Sequence, residues 1–351
     1  MRNIYSDVVQ FKGSHYDFGF MQGQLLKGSL ILKNREAQYN KRKQRYIVQE
    51  TEVKNALQSL APGIWEELLG LKNGLKWPME DILNAFGGYL IDAANSGCSV
   101  YITPDYMVRN YDFHPFTYEG KFVLFEPTNQ SYATIGPTQH IMGRMDGMNE
   151  KGLAIAYNFV NRKNPGIGFI PNMITRIVLE SCANVDQAVT LLKEIPHFHS
   201  FNYIMIDADG KHIVVEATPR NIKVRDSIVC TNHFEMLKHE NRYHLDDSFR
   251  RQEQILTQKE NINHPYQAFR MFNDRDRGIF ADRYQNSSGT IHTSMYFAKD
   301  RKMWFALGGD REPVIIDFTK WVKGEPMNMT RILGEVETDL PFLHMDEKNA
   351  H

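Results

Sequence analysis

The sequence has few cysteines, no long apolar run and almost no net charge, and each shortage excludes a class of protein. Three cysteines among 351 residues, without C-x-x-C spacing, argue against a disulfide framework or a thiolate zinc site. No window approaches the roughly 18 apolar residues that a membrane-spanning helix needs, and the amino terminus lacks the apolar centre of a signal peptide. The sequence therefore predicts a cytoplasmic protein with no membrane partner.

The charges nearly cancel, with 41 Lys plus Arg against 42 Asp plus Glu. This balance argues against nucleic acid as a partner. The basic run at 41–45 stands alone and without interleaved aromatic residues, so it is interpreted as the solvated face of a helix. At 42% apolar residues the chain can bury a large core, and small-molecule chemistry is the favoured function.

The pattern of the chain changes near residue 98. Residues 1–97 are typical of helices, with Phe18, Met21, Leu25 and Leu26 on one expected face and further helix starts near Pro62 and Pro78. Later residues indicate hairpins at 98–111, 203–216 and 295–306, with helical windows at 171–182, 185–193 and 249–258. This order predicts an α+β fold in which sheets pack together and helices lie outside.

Several short motifs do not predict a site. His239 and His244 are five residues apart, so a helix would turn them about 140° from each other rather than onto one zinc-binding face. His197 and His199 are interpreted as a loop or strand-edge pair, because no acidic partner lies nearby in the sequence. The run 207–210 begins like a calcium loop but lacks the bidentate Glu at its twelfth position, so a hairpin turn is expected.

Cys98 lies where the helical pattern ends, in the run Gly97-Cys98-Ser99. Arg109 and Asp112 follow, and a hairpin would bring both close to the cysteine. A lone cysteine is most often a small buried side chain. Here the surrounding motifs favour a functional one instead.

Four stretches resemble a known superfamily. The run 146–153, D-G-M-N-E-K-G-L, with Asn158 downstream, resembles the hairpin of the choloylglycine hydrolase and penicillin V acylase group, and 109–112 and 231–234 resemble its R-N-x-D and T-N-H segments. The run 13–23 is similar to the propeptide signature of the penicillin acyltransferase (acyl-CoA:aminopenicillanic acid acyltransferase) branch. The resemblance covers roughly residues 11 to 310.

This resemblance implies an N-terminal-nucleophile (Ntn) hydrolase with a four-layer αββα sandwich. It also implies self-cleavage between Gly97 and Cys98, giving a helical pro-segment, 1–97, and a catalytic core, 98–351, packed as one globular unit. In the bile-salt branch the cysteine directly follows the initiator Met, whereas 97 residues precede it here. Bile-salt specificity is therefore not expected.

The residues suit this chemistry. An amino-terminal cysteine combines a strong nucleophile with an α-amine whose ordinary pKa, about 7.7 to 8.0, makes it a suitable base. Arg109 would favour the thiolate, and Asp112 could orient the amine. The resemblance implies that Asn158 and Asn232 are oxyanion donors. It also implies an active-site arginine at Arg250 or Arg251, of which Arg251 is the candidate.

We therefore expect an autoproteolytic cysteine amidohydrolase that cleaves a linear amide, or transfers its acyl group, through a thioester. The alternatives are an acyl-CoA-dependent N-acyltransferase, a metal-dependent hydrolase using the histidines of 197–244, and a binding protein with a structural cysteine. Hydrolysis is favoured over transfer because no phosphate-binding loop is present. No cofactor or metal is expected. The expected partners are a small-molecule amide substrate, the other chain produced by cleavage and further copies of the protein in a homo-oligomer.

Overall fold

The computed structural model describes residues 1–42, 48–91, 97–242 and 245–347, with the backbone alone at 39–42. Helices α1 to α10 span, in order, His15–Leu26, Leu30–Arg42, Glu50–Leu60, Pro62–Leu75, Met79–Phe86, Pro171–Ser181, Val185–Glu194, Leu245–Gln258, Pro265–Asn273 and Phe318–Val322. Strands β1 to β17 span Arg2–Gly13, Gly97–Ile102, Met107–Phe113, Lys121–Pro127, Thr134–Gln139, Gly143–Arg144, Asp146–Asn149, Ala154–Asn161, Ser200–Ile206, His212–Ala217, Ile222–Arg225, Val229–Cys230, Asp282–Arg283, Ser288–Phe297, Lys302–Leu307, Val314–Asp317 and Arg331–Val336.

The strands form two sheets that pack face to face. The ten-stranded sheet has the order β11-β10-β9-β8-β7-β5-β4-β1-β17, with β6 paired to β5, and the seven-stranded sheet has the order β12-β2-β3-β14-β15-β16, with β13 paired to β14. Strand β2 contacts β8 across the space between the sheets, and β15 contacts β17 where an isolated β-bridge joins Gly308 to Glu335. Helices α6 and α7 cover the larger sheet, and α8 and α9 cover the smaller one. The predicted α+β fold with αββα layering is confirmed.

The three predicted hairpins are antiparallel strand pairs, β2 with β3, β9 with β10 and β14 with β15. The run 207–210 is the turn between β9 and β10, as predicted. Its Asp207 side chain accepts the backbone N–H groups of Asp209 and Lys211, and Gly210 has a φ of 80°. A turn with a positive φ is a position where glycine is favoured.

The prediction of a helical segment over residues 1–97 is wrong at the amino terminus. Residues 2–13 form β1, which lies inside the larger sheet, parallel to β4 and antiparallel to β17. Both partner strands are more than a hundred residues away in sequence, so no local pattern could reveal the pairing. The other predicted helical pieces of this segment are present as α1, α4 and α5.

The buried face of α1 also differs from the predicted one. Phe18 and Leu26 are buried, but Leu25 is exposed. Two glycines, Gly19 and Gly23, lie on the buried face instead and meet α4. Backbone contact between the two helices, rather than a stripe of large apolar side chains, therefore decides which face is inside.

Two sequence motifs lie partly outside the described residues, namely the basic run at 41–45 and the pair His239 and His244. Within the described ranges, no helix combines the length and apolar character needed to cross a membrane. The same ranges contain no group of three His, Cys, Asp or Glu side chains arranged to hold a metal ion.

Candidate active site

The β2–β3 hairpin presents two groups of side chains on opposite faces. Cys98 lies opposite Tyr111, and Val100 opposite Arg109, so these side chains share the face turned toward the larger sheet. Asp112 lies opposite Gly97, on the other face of the hairpin. The Cys98 side chain therefore shares its face of the hairpin with Arg109 and Tyr111. Asp112 lies on the opposite face, next to the backbone of Gly97.

Arg109 is fixed beside the thiol. Its Nη2 lies 3.5 Å from Cys98 Sγ and donates to the Tyr157 carbonyl at 2.7 Å. Its Nη1 donates to the Met145 carbonyl at 2.8 Å and forms an ion pair with Asp146. All of these groups belong to the larger sheet or the turn before β7, so the guanidinium connects the two sheets at the position of the sulfur.

The environment of the thiol combines burial and positive charge. Burial raises the pKa of Cys98, while the nearby Arg109 opposes that rise. The balance leaves the pKa above its ordinary value in the intact chain. The thiol is thus protonated at neutral pH, and a base is needed to activate it.

Asp112 can exchange a proton in the neutral range. Its carboxyl is fully buried, and burial raises its pKa to about 7 against the opposing effects of Arg251 and Thr290. Oδ1 accepts the Thr290 hydroxyl at 2.7 Å, whereas Oδ2 has no hydrogen-bond partner. A register shift in β14 after Thr290 re-aims that strand at this point, as β-bulges next to active sites do.

Asn232 holds the backbone of the cysteine. Its Oδ1 accepts the Cys98 N–H at 2.8 Å and Arg251 Nη2 at 2.8 Å. Its Nδ2 donates to the Phe159 carbonyl at 2.8 Å. The structure therefore places Asn232 beside Cys98. In the intact chain its amide oxygen binds the N–H of the peptide group that joins Gly97 to Cys98.

Asn158 contacts the backbone of the segment that precedes Asn232. Its Nδ2 donates to the carbonyls of Cys230 at 3.0 Å and Thr231 at 3.3 Å, and its Oδ1 has no partner. These bonds hold the segment that leads into Asn232. The oxyanion-donor roles of both asparagines stay predictions, since the N–H groups of each are engaged by backbone carbonyls in the intact chain.

Of the two candidate arginines, the structure places Arg251 at the site. Its Nη1 donates to the Cys98 carbonyl at 2.6 Å and to Ser99 Oγ at 2.7 Å, and Asp247 accepts its Nε at 2.9 Å. Arg250 points to the surface, where its side chain is 48% exposed. One step along α8 turns a side chain by about 100°, which separates the two arginines.

Asp146, which opens the D-G-M-N run, is a site residue with no predicted role. Its carboxylate is fully buried, pairs with Arg109 and accepts from His292 Nε2 at 3.0 Å, from Ser294 Oγ at 3.2 Å and from the Tyr296 hydroxyl. Burial alone would raise the pKa of Asp146, but His292 and Arg109 hold it well below its usual range. Its place in the motif was the one signal that could have revealed it.

The sequence matches the family described as acyl-coenzyme A:6-aminopenicillanic acid acyl-transferase over residues 102–312. No curated protein sequence matches the chain. Solved structures similar to it include penicillin V acylase from Agrobacterium tumefaciens, at 17% identity and TM-score 0.46, covering 64% of this chain and 86% of that one. A variant of conjugated bile acid hydrolase from Clostridium perfringens has 17% identity and TM-score 0.44, with 73% and 100% covered. The Caenorhabditis elegans ortholog of N-acylethanolamine-hydrolyzing acid amidase has 15% identity and TM-score 0.37, with 58% and 93% covered.

Proposed function

The chain belongs to the acyl-coenzyme A:6-aminopenicillanic acid acyl-transferase family, and on that premise we propose that it is a self-cleaving cysteine amidohydrolase of linear amides. The observation that carries the proposal is the setting of Cys98. Its sulfur lies 3.5 Å from Arg109, and its own N–H and carbonyl are held by Asn232 and Arg251. A buried cysteine without a function needs none of these contacts.

In the self-cleavage step, Cys98 Sγ attacks the carbonyl carbon of Gly97. The peptide C–N bond breaks, the nitrogen takes a proton, and a thioester joins Gly97 to the sulfur. Water then hydrolyses the thioester, leaving a carboxylate on Gly97, a free thiol and a free α-amine on Cys98. Asp112, with an unbonded Oδ2 and a pKa of about 7, is suited to move the proton in this step.

In the amidase reaction, the new α-amine takes the thiol proton and the sulfur attacks the substrate carbonyl. The tetrahedral oxyanion collapses to an acyl thioester as the amine product leaves with a proton, and water releases the acid. Arg109 stabilises the thiolate by its charge. Asn158 and Asn232 are the proposed oxyanion donors, which requires their N–H groups to turn from the backbone carbonyls after cleavage.

The two cleaved chains, 1–97 and 98–351, are proposed to stay together as one globular unit. The support is β1, because both of its neighbours in the larger sheet, β4 and β17, belong to the second chain. Releasing the first chain would remove the strand that joins the edge strand β17 to the rest of that sheet. The small-molecule amide as substrate, the homo-oligomer and the cytoplasmic location remain predictions from the sequence.

Mass spectrometry of the purified protein tests the proposal. Cleavage at Gly97–Cys98 divides the 40.8 kDa chain into fragments of about 11 and about 29 kDa. The Cys98→Ala protein should remain one chain, whereas Cys182→Ala, which removes another buried cysteine, should be cleaved like the wild type. An intact wild-type chain after prolonged incubation at neutral pH would refute self-cleavage.

A further inference from the structure

The turn between β5 and β6 has an unfavourable backbone conformation. His140 and Ile141 have φ values of 56° and 60°, and the Met142 N–H donates to the His140 carbonyl at 2.6 Å, closing a three-residue turn around Ile141. A positive φ is exceptional for a β-branched residue, and such turns are rare and strained. Ile141 is nevertheless 1% exposed, so its surroundings must hold it in place.

A buried carboxylate provides that support. Glu119 is fully buried, and its Oε2 accepts the Ile141 N–H at 2.8 Å. Its Oε1 accepts Arg35 Nε at 3.1 Å and also Arg35 Nη2. Arg35 lies on α2 and is itself 7% exposed. The cation in direct contact with Glu119 therefore comes from the part of the chain that precedes Cys98.

The same turn contacts the residues around the nucleophile. Gln139, which immediately precedes it, accepts the hydroxyls of Tyr111 at 3.2 Å and Tyr157 at 3.0 Å on its Oε1. The guanidinium of Arg109 lies 4.9 Å and 5.2 Å from the centres of these two rings. Tyr111 is also the cross-strand partner of Cys98. Gln139 thus sets the positions of both rings that flank Arg109 and the sulfur.

We propose that Arg35 is a positioning residue of the active site, acting through Glu119 on the turn 140–142 and, through the adjoining Gln139, on Tyr111 and Tyr157. The first chain then contributes a positioning residue to the cleaved enzyme, besides being the segment that precedes the nucleophile. This inference rests on the proposed role of Cys98 as the nucleophile.

The physical reason lies in the burial of the pair. Without Arg35 the buried Glu119 carboxylate would lose the guanidinium that contacts it and keep the longer-range charge of Lys121, which favours uptake of a proton or movement of the carboxylate. Either change weakens the bond to Ile141 and lets the strained turn relax. Gln139 would shift with the turn, and small displacements of positioning groups lower turnover strongly.

The experiment compares Arg35→Gln with a matched control, Arg2→Gln. Arg2 also joins the first chain to the second, through an ion pair in which its Nη2 lies 2.5 Å from Asp346 Oδ1. Both side chains are about one quarter exposed, and neither touches the site. Self-cleavage is followed by mass, and kcat and KM for an amide substrate are measured per reactive thiol. We expect Arg35→Gln to be cleaved but to lose at least about tenfold in kcat, with Arg35→Lys in between and Arg2→Gln unchanged.

Two results would overturn the inference. One is kcat for Arg35→Gln within about threefold of the wild type. The other is an equal loss in Arg2→Gln, which would indicate general destabilisation. If Arg35→Gln does not fold, the Arg35→Lys protein decides, because it keeps the charge but not the two-nitrogen contact with Glu119.

A measurement that needs no activity separates this inference from the proposed function. In the single-chain Cys98→Ala protein, hydrogen exchange at 139–142 should be faster with Arg35→Gln than with Arg2→Gln. Unchanged exchange would overturn the inference even if the enzyme were active. Faster exchange in a protein whose wild type is neither cleaved nor active would refute the proposed function and leave the support of the turn by Arg35 in place.

Discussion

The carboxyl group of Asp112 lies fully buried beside Gly97, with a pKa raised by burial to about 7 from an ordinary value of 3.8. Between these two values the folded chain binds a proton that the unfolded chain has released. The contribution of Asp112 to the free energy of unfolding therefore falls as pH rises from about 4 to about 7. Protonated Asp112 stabilises the fold at acidic pH, and this stabilisation is lost as the pH rises through about 7.

This gives a prediction for the single-chain Cys98→Ala protein. Its free energy of unfolding should fall by about 3 kcal/mol more between about pH 4.5 and about pH 7.5 than that of the Cys98→Ala/Asp112→Asn double variant. Asparagine keeps the shape and the acceptor for Thr290 but cannot titrate. Urea unfolding of both proteins at the two pH values provides the measurement. Parallel falls in the two proteins would show that another group titrates in this range.

At the scale of helices and strands, α1 and α4 approach each other closely enough for their backbones to touch. A Cβ atom on Gly19 would lie 1.9 Å from the Glu67 carbonyl oxygen, and one on Gly70 would lie 2.0 Å from the Tyr16 carbonyl oxygen. No rotamer change relieves a contact between a Cβ and a backbone atom. The two helices must separate before either glycine can be replaced.

We therefore predict that Gly70→Ala lowers the free energy of unfolding by about 1 to 3 kcal/mol, the usual cost of overpacking. Helix propensity alone would change stability in the opposite direction, by about 1 kcal/mol in favour of alanine. The sign of the change thus decides between the two effects. Glu66→Ala, at an exposed position of the same helix, is the control and should stay within about 0.5 kcal/mol of the wild type in thermal or urea unfolding.

At the scale of the whole molecule, the site lies between layers that come from both sides of the Gly97–Cys98 bond. Residues 98–351 supply Cys98, Arg109, Asp112, Asn158 and Asn232, and residues 1–97 supply β1 and Arg35. A thioester in such a site can be resolved by water or by an amine, and the result depends on whether a second amine binds near the sulfur.

We predict that water prevails. The chain has a net charge of −1 and no glycine-rich phosphate loop that would bind coenzyme A. With an amide substrate and added primary amines, the free acid should be the main product by chromatography, and Cys98→Ala should yield none. Capture of most acyl groups by an amine at millimolar concentration, with coenzyme A thioesters as donors, would establish the transferase alternative instead.

The sequence alone determined the hairpin of β2 and β3. Strand alternation and a short turn are local properties, so the residues from Cys98 to Asp112 specify their own register and place Arg109 on the face of the thiol. Asn158 and Asn232 were predicted from the resemblance of short motifs. Such motifs are recognisable in the sequence because their residue types and spacing are local. The layer order followed from the succession of helices and hairpins.

Only the tertiary structure decided the rest. The pairing of β1 depends on strands far away in sequence, and the choice of Arg251 over Arg250 depends on which face of α8 packs against β2. Asp146 and Arg35 gain their roles from partners that meet across layers, with His292 and Glu119 contributed by distant strands and loops. Contacts of this kind form when layers pack, and local sequence patterns carry no record of them.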